Sequence, residues 1–381
     1  MIRKLLLSFF IFLFTISLHA EFINIGILVN KKINAFEFSV RAGKYAIFTE
    51  FGKLKEFDSK STIQIEYYGN KIRLKESNKI LGSFDKVNFM GIGWYNHFMI
   101  EGIGNNLQER YDDNLKVIAQ PSKMQLINNI DLDNYVAGVV EAEVGRKPPK
   151  EYFKLQAIIC RTYALSNTHK HLMEGFNLCD GVHCQAYHGK TFFEDIVKAS
   201  LQTRGAVIVD SDIQLITAAF HSNCGGQTVN SEDVWTKSLY YLRSVKDTFC
   251  LKKKNSFWET KVDGERWKSY LMAKLPKSTN DTMYSHYEHE EREIFLPTQP
   301  QTLSFEDIRH RFRLRSAYFR FKSEGNDVHI HGRGYGHGVG LCQEGAMEMA
   351  ALGYNYSEIL HFYYSGVHII DLSALDFFKE D

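Results

Sequence analysis

Glu143 is the residue whose setting points most directly to chemistry. The stretch 132–145, LDNYVAGVVEAEVG, spaces apolar side chains as a helix does; Asp131 or Asp133 can cap its start, and Gly145 with Pro148 and Pro149 can stop it. At ~100° per residue, Leu132, Val136, Val139 and Glu143 share a narrow sector of the helical wheel, and Glu141 lies nearly opposite Leu132. Glu143 is therefore expected to point inward and Glu141 outward. A carboxyl group on an apolar face loses hydration, which penalises its charged form, raises its pKa and lets it hold a proton near neutrality. A general acid requires that property. The same pattern also fits a glutamate at a helix edge held by an arginine or a backbone donor.

Three further groups of residues carry chemical potential. His169, His171, Cys179, His183 and Cys184 fall within sixteen residues. Thiolate and imidazole are the donors tetrahedral zinc prefers, although the spacing is not that of a zinc finger and the adjacent His183 and Cys184 need a sharp backbone turn. In an oxidising compartment the competing arrangement is a Cys179–Cys184 disulfide. The second group, 221–228, follows a strand-like run and is polar and Gly-rich, so that His221, Ser222, Asn223, Gly225 and Gly226 can present side chains and bare amides to a hydroxyl-rich ligand. The third, HGRGYGHGVGLCQEGA at 331–346, has five Gly in its first ten residues, and His331, Arg333, Tyr335, His337 and Gln343 could line a groove. A Gly-x-Gly-x-x-Gly string within it lacks the βαβ context of a nucleotide site. Arg161, amid apolar neighbours, could pair with a carboxylate such as Glu143, contact substrate, or snorkel to the surface.

The elements that must position these groups follow from periodicity. Short alternating runs at 23–29, 36–40, 45–49, 63–68 and 71–74, separated by Gly, Asn, Asp or Lys clusters, predict a small antiparallel sheet domain over 21–125. A second core helix is expected from Leu155, Ile158, Ile159, Thr162 and Leu165, a strand pair from 207–209 and 213–220, helices with charged faces over 267–315, and helices near 343–352 and 356–364. Residues 1–20 carry Arg3 and Lys4, an apolar run and a small residue at Ala20, the pattern of a secretory signal peptide cut after Ala20, with retention as an N-terminal anchor as the alternative. The mature chain then works in the periplasm or cell envelope, where its six cysteines could form disulfides. The balance of 46 Lys+Arg against 45 Asp+Glu gives no global field and argues against a nucleic-acid partner.

In order along the chain, Leu132-x-x-Tyr135-x-x-Gly138-Val139-Val140-x-x-Glu143, Leu155-x-Ala157 with Arg161-Thr162-Tyr163, His221-Ser222-x-x-Gly225-Gly226 and the Gly-rich run from His331 to Gly340 resemble the stage II sporulation protein D (SpoIID/LytB) family. The resemblance implies an α+β fold, with the N-terminal antiparallel β domain packed on a mixed α+β catalytic domain at 126–371 that carries a substrate groove, and a tail at 372–381. It implies a peptidoglycan lytic transglycosylase acting on glycan strands without stem peptides, in cooperation with an N-acetylmuramoyl-L-alanine amidase and septal proteins. Glu143 matches the family's catalytic glutamate, with Glu344 or Glu141 as fallback. By position, His171, Cys179, His183 and Cys184 would hold a structural zinc. Two departures stand out. Cys224 and Cys342 replace the Ser of the family pattern, which suggests a disulfide between them, with Cys160 and Cys250 free or separately paired; Gly145 stands where a Pro is usual, leaving the end of the helix open. The rival functions are a glycan-binding activator of a separate amidase and a Cys/His peptide hydrolase using Cys224 or Cys184.

Overall fold

The computed structural model describes residues 21–377 other than Asn105 and Glu290. The expected signal peptide at 1–20 and residues 378–381 lie outside the described residues. Alternating sequence up to residue 131 forms ten strands: β1 (Phe22–Ile27), β2 (Ala35–Thr49), β3 (Gly52–Phe57), β4 (Thr62–Tyr68), β5 (Lys71–Glu76), β6 (Lys79–Phe84), β7 (Lys86–Gly102), β8 (Gln108–Asp112), β9 (Asn114–Gln120) and β10 (Lys123–Asp131). With β11 (Leu178–Cys179) they make one sheet of order β11-β1-β10-β9-β7-β2-β4-β5-β6, β3 pairing with β2 and β8 with β7.

The runs expected at 36–40 and 45–49 are one strand, because bulges near Ala42 let β2 bend while its pairing with β7 continues. Its inward side chains anchor the aromatic centre of the sheet: Phe38 stacks on Phe89 and Phe98 at centroid separations of 4.4 and 4.7 Å and meets Tyr45 edge-on at 5.1 Å. Burying such a ring is worth ~1.5–3 kcal/mol. The same core runs on through Ile127 and Ile130 into Tyr135, Val136 and Val139 of the following helix. The position expected to separate the domains, 125/126, accordingly falls inside β10.

The apolar spacings after residue 131 produce α1 (Leu132–Val144), α2 (Lys150–Ser166) and α3 (Glu194–Gln202), which pack on one another. The second core lies between α2, α6 (Gln343–Ala351) and α7 (Tyr356–Tyr363), around Ile158, Ile159, Leu341, Ala346 and Leu360. Strand β12 (Ala206–Val209) pairs with β19 (His368–Asp371), and the short β13 (Phe220–His221) runs parallel to β18 (Leu341–Cys342). The second member of the strand pair expected at 213–220 is mostly irregular and reduces to a bridge at Leu215 and the two residues of β13. At the C-terminus α8 (Leu372–Phe377) packs Leu375 onto Val207 and Val209.

Residues 257–333 form a third unit that the sequence reading did not separate. Strands β14 (Phe257–Asp263), β15 (His286–Tyr287), β16 (Phe319–Glu324) and β17 (Asp327–Arg333) make a sheet of order β14-β17-β16-β15 that carries α4 (Gly264–Lys274) and α5 (Phe305–Phe312). Trp267, fully buried, centres its separate core with Phe305, Phe321 and Ile330. The helices expected over 267–315 are thus two short ones, and the strands around them bury their apolar faces.

Candidate catalytic site and thiol–imidazole cluster

Helix α1 is capped as its sequence predicts. Asp131 Oδ1 accepts from the amides of Asp133 (2.9 Å) and Asn134 (3.2 Å), which satisfies two of the orphan donors of the first turn. The helix ends at Val144: Gly145 adopts a φ of 68° while its amide bonds Glu141 O at 2.9 Å, a stop that needs glycine rather than proline. Glu143 is half-buried on this last turn. Its Oε1 accepts the Ala186 amide at 3.0 Å, and Oε2 has no protein hydrogen-bond partner among the described residues. Burial raises its pKa above the usual carboxylate range, an effect the Ala186 amide and the His188 imidazole partly oppose. Glu141 faces the other way and pairs with the exposed Arg146 at 2.5 Å. Beside Glu143 the floor is apolar and neutral: Cys160 is fully buried, its thiol pushed up by burial and by Glu143, and it accepts from Gln156 Nε2 at 3.4 Å.

The loop that supplies Ala186 is held at both ends. At its start β11 adds to β1, and Phe176 lies over Gly26, where a Cβ would come within 2.7 Å of the ring. At its end Gly138 of α1 admits the close approach of Tyr187 and Gly189, since a Cβ there would lie 2.4 Å from Gly189 O. Between these anchors His171, Cys179, His183 and Cys184 gather with one donor atom each within 4.8 Å of all the others. His183 Nδ1 is 3.9 Å from Cys179 Sγ and 3.7 Å from Cys184 Sγ. His171 Nε2 is buried with no partner among the described residues, while its Nδ1 is fixed by Glu174 Oε1 at 2.5 Å. His169 is exposed and outside the cluster. Both sulfurs are free thiols, so the alternative Cys179–Cys184 disulfide is not formed.

Other residues expected at a binding surface serve the interior. Arg161 is 1% exposed; its Nη2 and Nε donate to Asp133 Oδ1 at 2.7 and 3.2 Å, Nη2 also donates to Ser200 O, and Nη1 donates to Ala206 O. It ties α1 to α2 and α3 and is a core ion pair rather than a substrate contact, because its side chain is buried and four hydrogen bonds engage it inside. His221 is buried with Nδ1 on Val339 O, and His337 bonds Phe220 O through Nε2 and the Val339 amide through Nδ1. Burial drives both imidazoles to the neutral form, that of His337 with a pKa of about 4. Asn223 Nδ2 donates to Glu344 Oε2 at 2.6 Å, and the other oxygen of Glu344 accepts from Asn255 Nδ2 at 2.6 Å. The fallback acid Glu344 is therefore engaged within a side-chain network. Ser222 joins the same network through Asn255.

The two Gly-rich stretches pack on each other. A Cβ at Gly225 would lie 2.6 Å from Arg333 Cβ, one at Gly334 would lie 2.5 Å from Asn223 O, and Asn223 and Tyr335 exchange backbone hydrogen bonds of 3.1 and 2.7 Å. Gly226, the next residue, approaches Leu251. Their glycines thus serve backbone-to-backbone contact rather than a bare cleft edge. His331 faces Glu259 across β17 and β14 at 3.1 Å, and Arg333 lies over Phe257 and Tyr318. Tyr335 remains half-exposed, and Gln343 Nε2, like His221 Nε2, is buried with no partner among the described residues. Sequence reasoning missed Ala186 and His188; their adjacency to His183 and Cys184 was the available signal.

Residues 120–209 match the family described as "SpoIID: Stage II sporulation protein". Stage II sporulation protein D of Bacillus subtilis is 31% identical over 267 residues, which cover 66% of this chain and 77% of that one. The chain belongs to the SpoIID family. The Stage II sporulation protein D of Bacillus amyloliquefaciens is 28% identical over 268 residues, with the same coverage of 66% and 77%. The "Amidase enhancer" of Bacillus subtilis is 27% identical over 285 residues, covering 60% of this chain and 39% of that protein. The SpoIID-matching segment holds Glu143, Arg161 and the whole thiol–imidazole cluster, whereas both Gly-rich loops lie beyond it.

Proposed function

We propose that this SpoIID-family chain is a lytic transglycosylase of peptidoglycan glycan strands, with Glu143 as its acid and then its base. Glu143 would protonate the glycosidic oxygen between N-acetylmuramic acid and N-acetylglucosamine while an oxocarbenium-like centre forms. It would then accept the proton of the muramoyl 6-hydroxyl, whose attack closes a 1,6-anhydro ring. The observation that carries this reading is the environment of one carboxyl group. Glu143 is half-buried with a raised pKa and one oxygen fixed by an amide, and the groups acting on it are an amide and an imidazole. Glycoside hydrolases generally use two carboxyl groups, whereas internal attack needs one.

Zinc is the ion we assign to His171, Cys179, His183 and Cys184. Sulfur and nitrogen donors sharing a tetrahedral zinc lie ~3.6 Å apart for bonds of ~2.3 and ~2.0 Å, close to the separations around His183. The partnerless His171 Nε2, with its Nδ1 held by Glu174, fits a ligand oriented by a carboxylate. Four protein donors leave no open position, so the ion would brace the loop that carries Ala186 rather than activate water. Action in the cell envelope on strands already stripped of stem peptides completes the reading. Similarity to the protein named amidase enhancer favours a second one, a glycan-binding activator of an amidase without turnover of its own.

The deciding experiment incubates purified glycan strands, with and without stem peptides, with the mature chain and with Glu143→Gln, and identifies the ends by mass spectrometry. Anhydromuramoyl ends made only by the unsubstituted protein are expected. Reducing ends would indicate hydrolysis, and retained binding without cleavage would favour the activator.

A further inference from the structure

A second set of metal-type donors lies in the other core, away from the thiol–imidazole cluster. Cys224, Asp247, Cys250 and Cys342 converge from three separate segments, each offering one donor atom within 4.8 Å of the others. All four are essentially unexposed. Cys224 Sγ lies 3.4 Å from Cys250 Sγ and 3.3 Å from Asp247 Oδ2. The expected Cys224–Cys342 pair is thus brought together, but as free thiols, and Cys250, expected to stand apart, is part of the same group.

We propose that these four residues form a second structural metal centre, a Cys₃Asp site for zinc. A tetrahedral ion with ~2.3 Å bonds sets sulfurs ~3.8 Å apart, so the observed spacing needs only a few tenths of an ångström of adjustment. Backbone donors already face one of the sulfurs: Cys342 Sγ accepts from the amides of Cys224 (3.3 Å) and Gly345 (3.4 Å). Asp247 is oriented as an outer-shell partner would orient a ligand: Oδ2 accepts Tyr363 OH at 2.9 Å, and Oδ1 accepts the Phe249 amide at 2.9 Å. Gly345 keeps that approach open, since a Cβ there would lie 2.3 Å from both Asp247 Oδ2 and Tyr363 OH.

A disulfide accounts for this group less well. Joining two of three thiols leaves the third and a buried carboxylate with no cation, and among the described residues no cationic side chain pairs with Asp247. The half-buried Arg292 near Cys224 donates instead to Gln227 O and His337 O. A bound cation resolves the burial of Asp247. It would also lock together the segments bearing Asn223, Asn255 and Glu344.

The test uses the mature chain purified without chelator and measures zinc per chain by inductively coupled plasma mass spectrometry. Cys250→Ser is expected to lose one zinc while Cys184→Ser loses a different one. Should Cys250→Ser fail to fold, zinc-edge X-ray absorption of Cys184→Ser carries the test, and three sulfurs with one lighter donor are expected for the remaining ion. If the first cluster proves empty, a single zinc with that three-sulfur shell, lost in Cys250→Ser, still supports the proposal and removes only the zinc reading above. A zinc content unchanged by Cys250→Ser, no zinc remaining in folded Cys184→Ser, or a disulfide among Cys224, Cys250 and Cys342 in non-reduced peptide maps overturns it.

Discussion

The region around Glu143 and the region of the Gly-rich loops are both dense in polar residues, yet they use them in opposite ways. At the end of α1, among the described residues, Glu143 has one oxygen held and the other without a protein partner, and His171 keeps a buried nitrogen unpartnered. In the Gly-rich region Asn223, Asn255, His337 and Glu344 spend their donors and acceptors on one another or on nearby backbone, while His221 Nε2 and Gln343 Nε2 are buried with no partner among the described residues. The comparison teaches that a motif rich in His, Asn and Gly is not by that fact a binding surface. What marks the first region is leftover capacity on a half-buried carboxyl and beside other metal-type donors, since a buried polar group is costly until something satisfies it.

Substitutions can break or sharpen this contrast. The largest effect is expected at Glu143. Glu143→Gln should lower glycan cleavage by ~10²–10⁴-fold, with the melting temperature at neutral pH little reduced. Because folding raises the Glu143 pKa, its contribution to stability is fully present below the unfolded-state pKa and is lost as pH rises through the folded value. Paired melts of the two proteins should therefore show Glu143→Gln gaining relative stability over that window, while the pH profile of wild-type cleavage loses its acid-dependent limb above the raised pKa. A stability difference that does not vary with pH would contradict the burial of this carboxyl.

Arg161→Ala should rank next, at about 3–5 kcal/mol, since Asp133 Oδ1, Ala206 O and Ser200 O all lose a donor in the core, while Arg204 still holds Asp133 Oδ2. Denaturant melts that leave stability unchanged, with an altered KM, would return Arg161 to the binding surface. Asn223→Ala leaves Glu344 Oε2 with only the Asn255 backbone amide and removes the donor to Cys250 O, and should cost about 1–3 kcal/mol, with cleavage per folded molecule retained. A selective loss of activity there would erase the distinction between the two regions. Glu174→Gln should weaken zinc at the first cluster ~10–100-fold in a chelator competition, without affecting Cys224, Cys250 or Cys342. The smallest change belongs to Glu141→Ala, about 0.5 kcal/mol or less, because its partner Arg146 is largely exposed.

Sequence by itself determined the features that depend on local period and local chemistry. The inward face of α1, the outward face of Glu141 and the strand-rich first third follow from side-chain periodicity, which fixes the face a residue occupies before any long-range contact forms, whereas the cap could fall to Asp131 or Asp133 by sequence and the fold gives it to Asp131. The first cluster was legible too, because its four donors sit within fourteen residues of chain. Tertiary structure alone decided what each polar group would meet. It gave Arg161 to Asp133, set the Ala186 amide against Glu143, closed the Gly-rich stretches onto each other, and drew Cys250 and Asp247 to Cys224 and Cys342. The physical reason is that hydrogen-bond satisfaction is a long-range property. A residue's neighbours in sequence fix its direction, and only the packed chain supplies the partner it finds there.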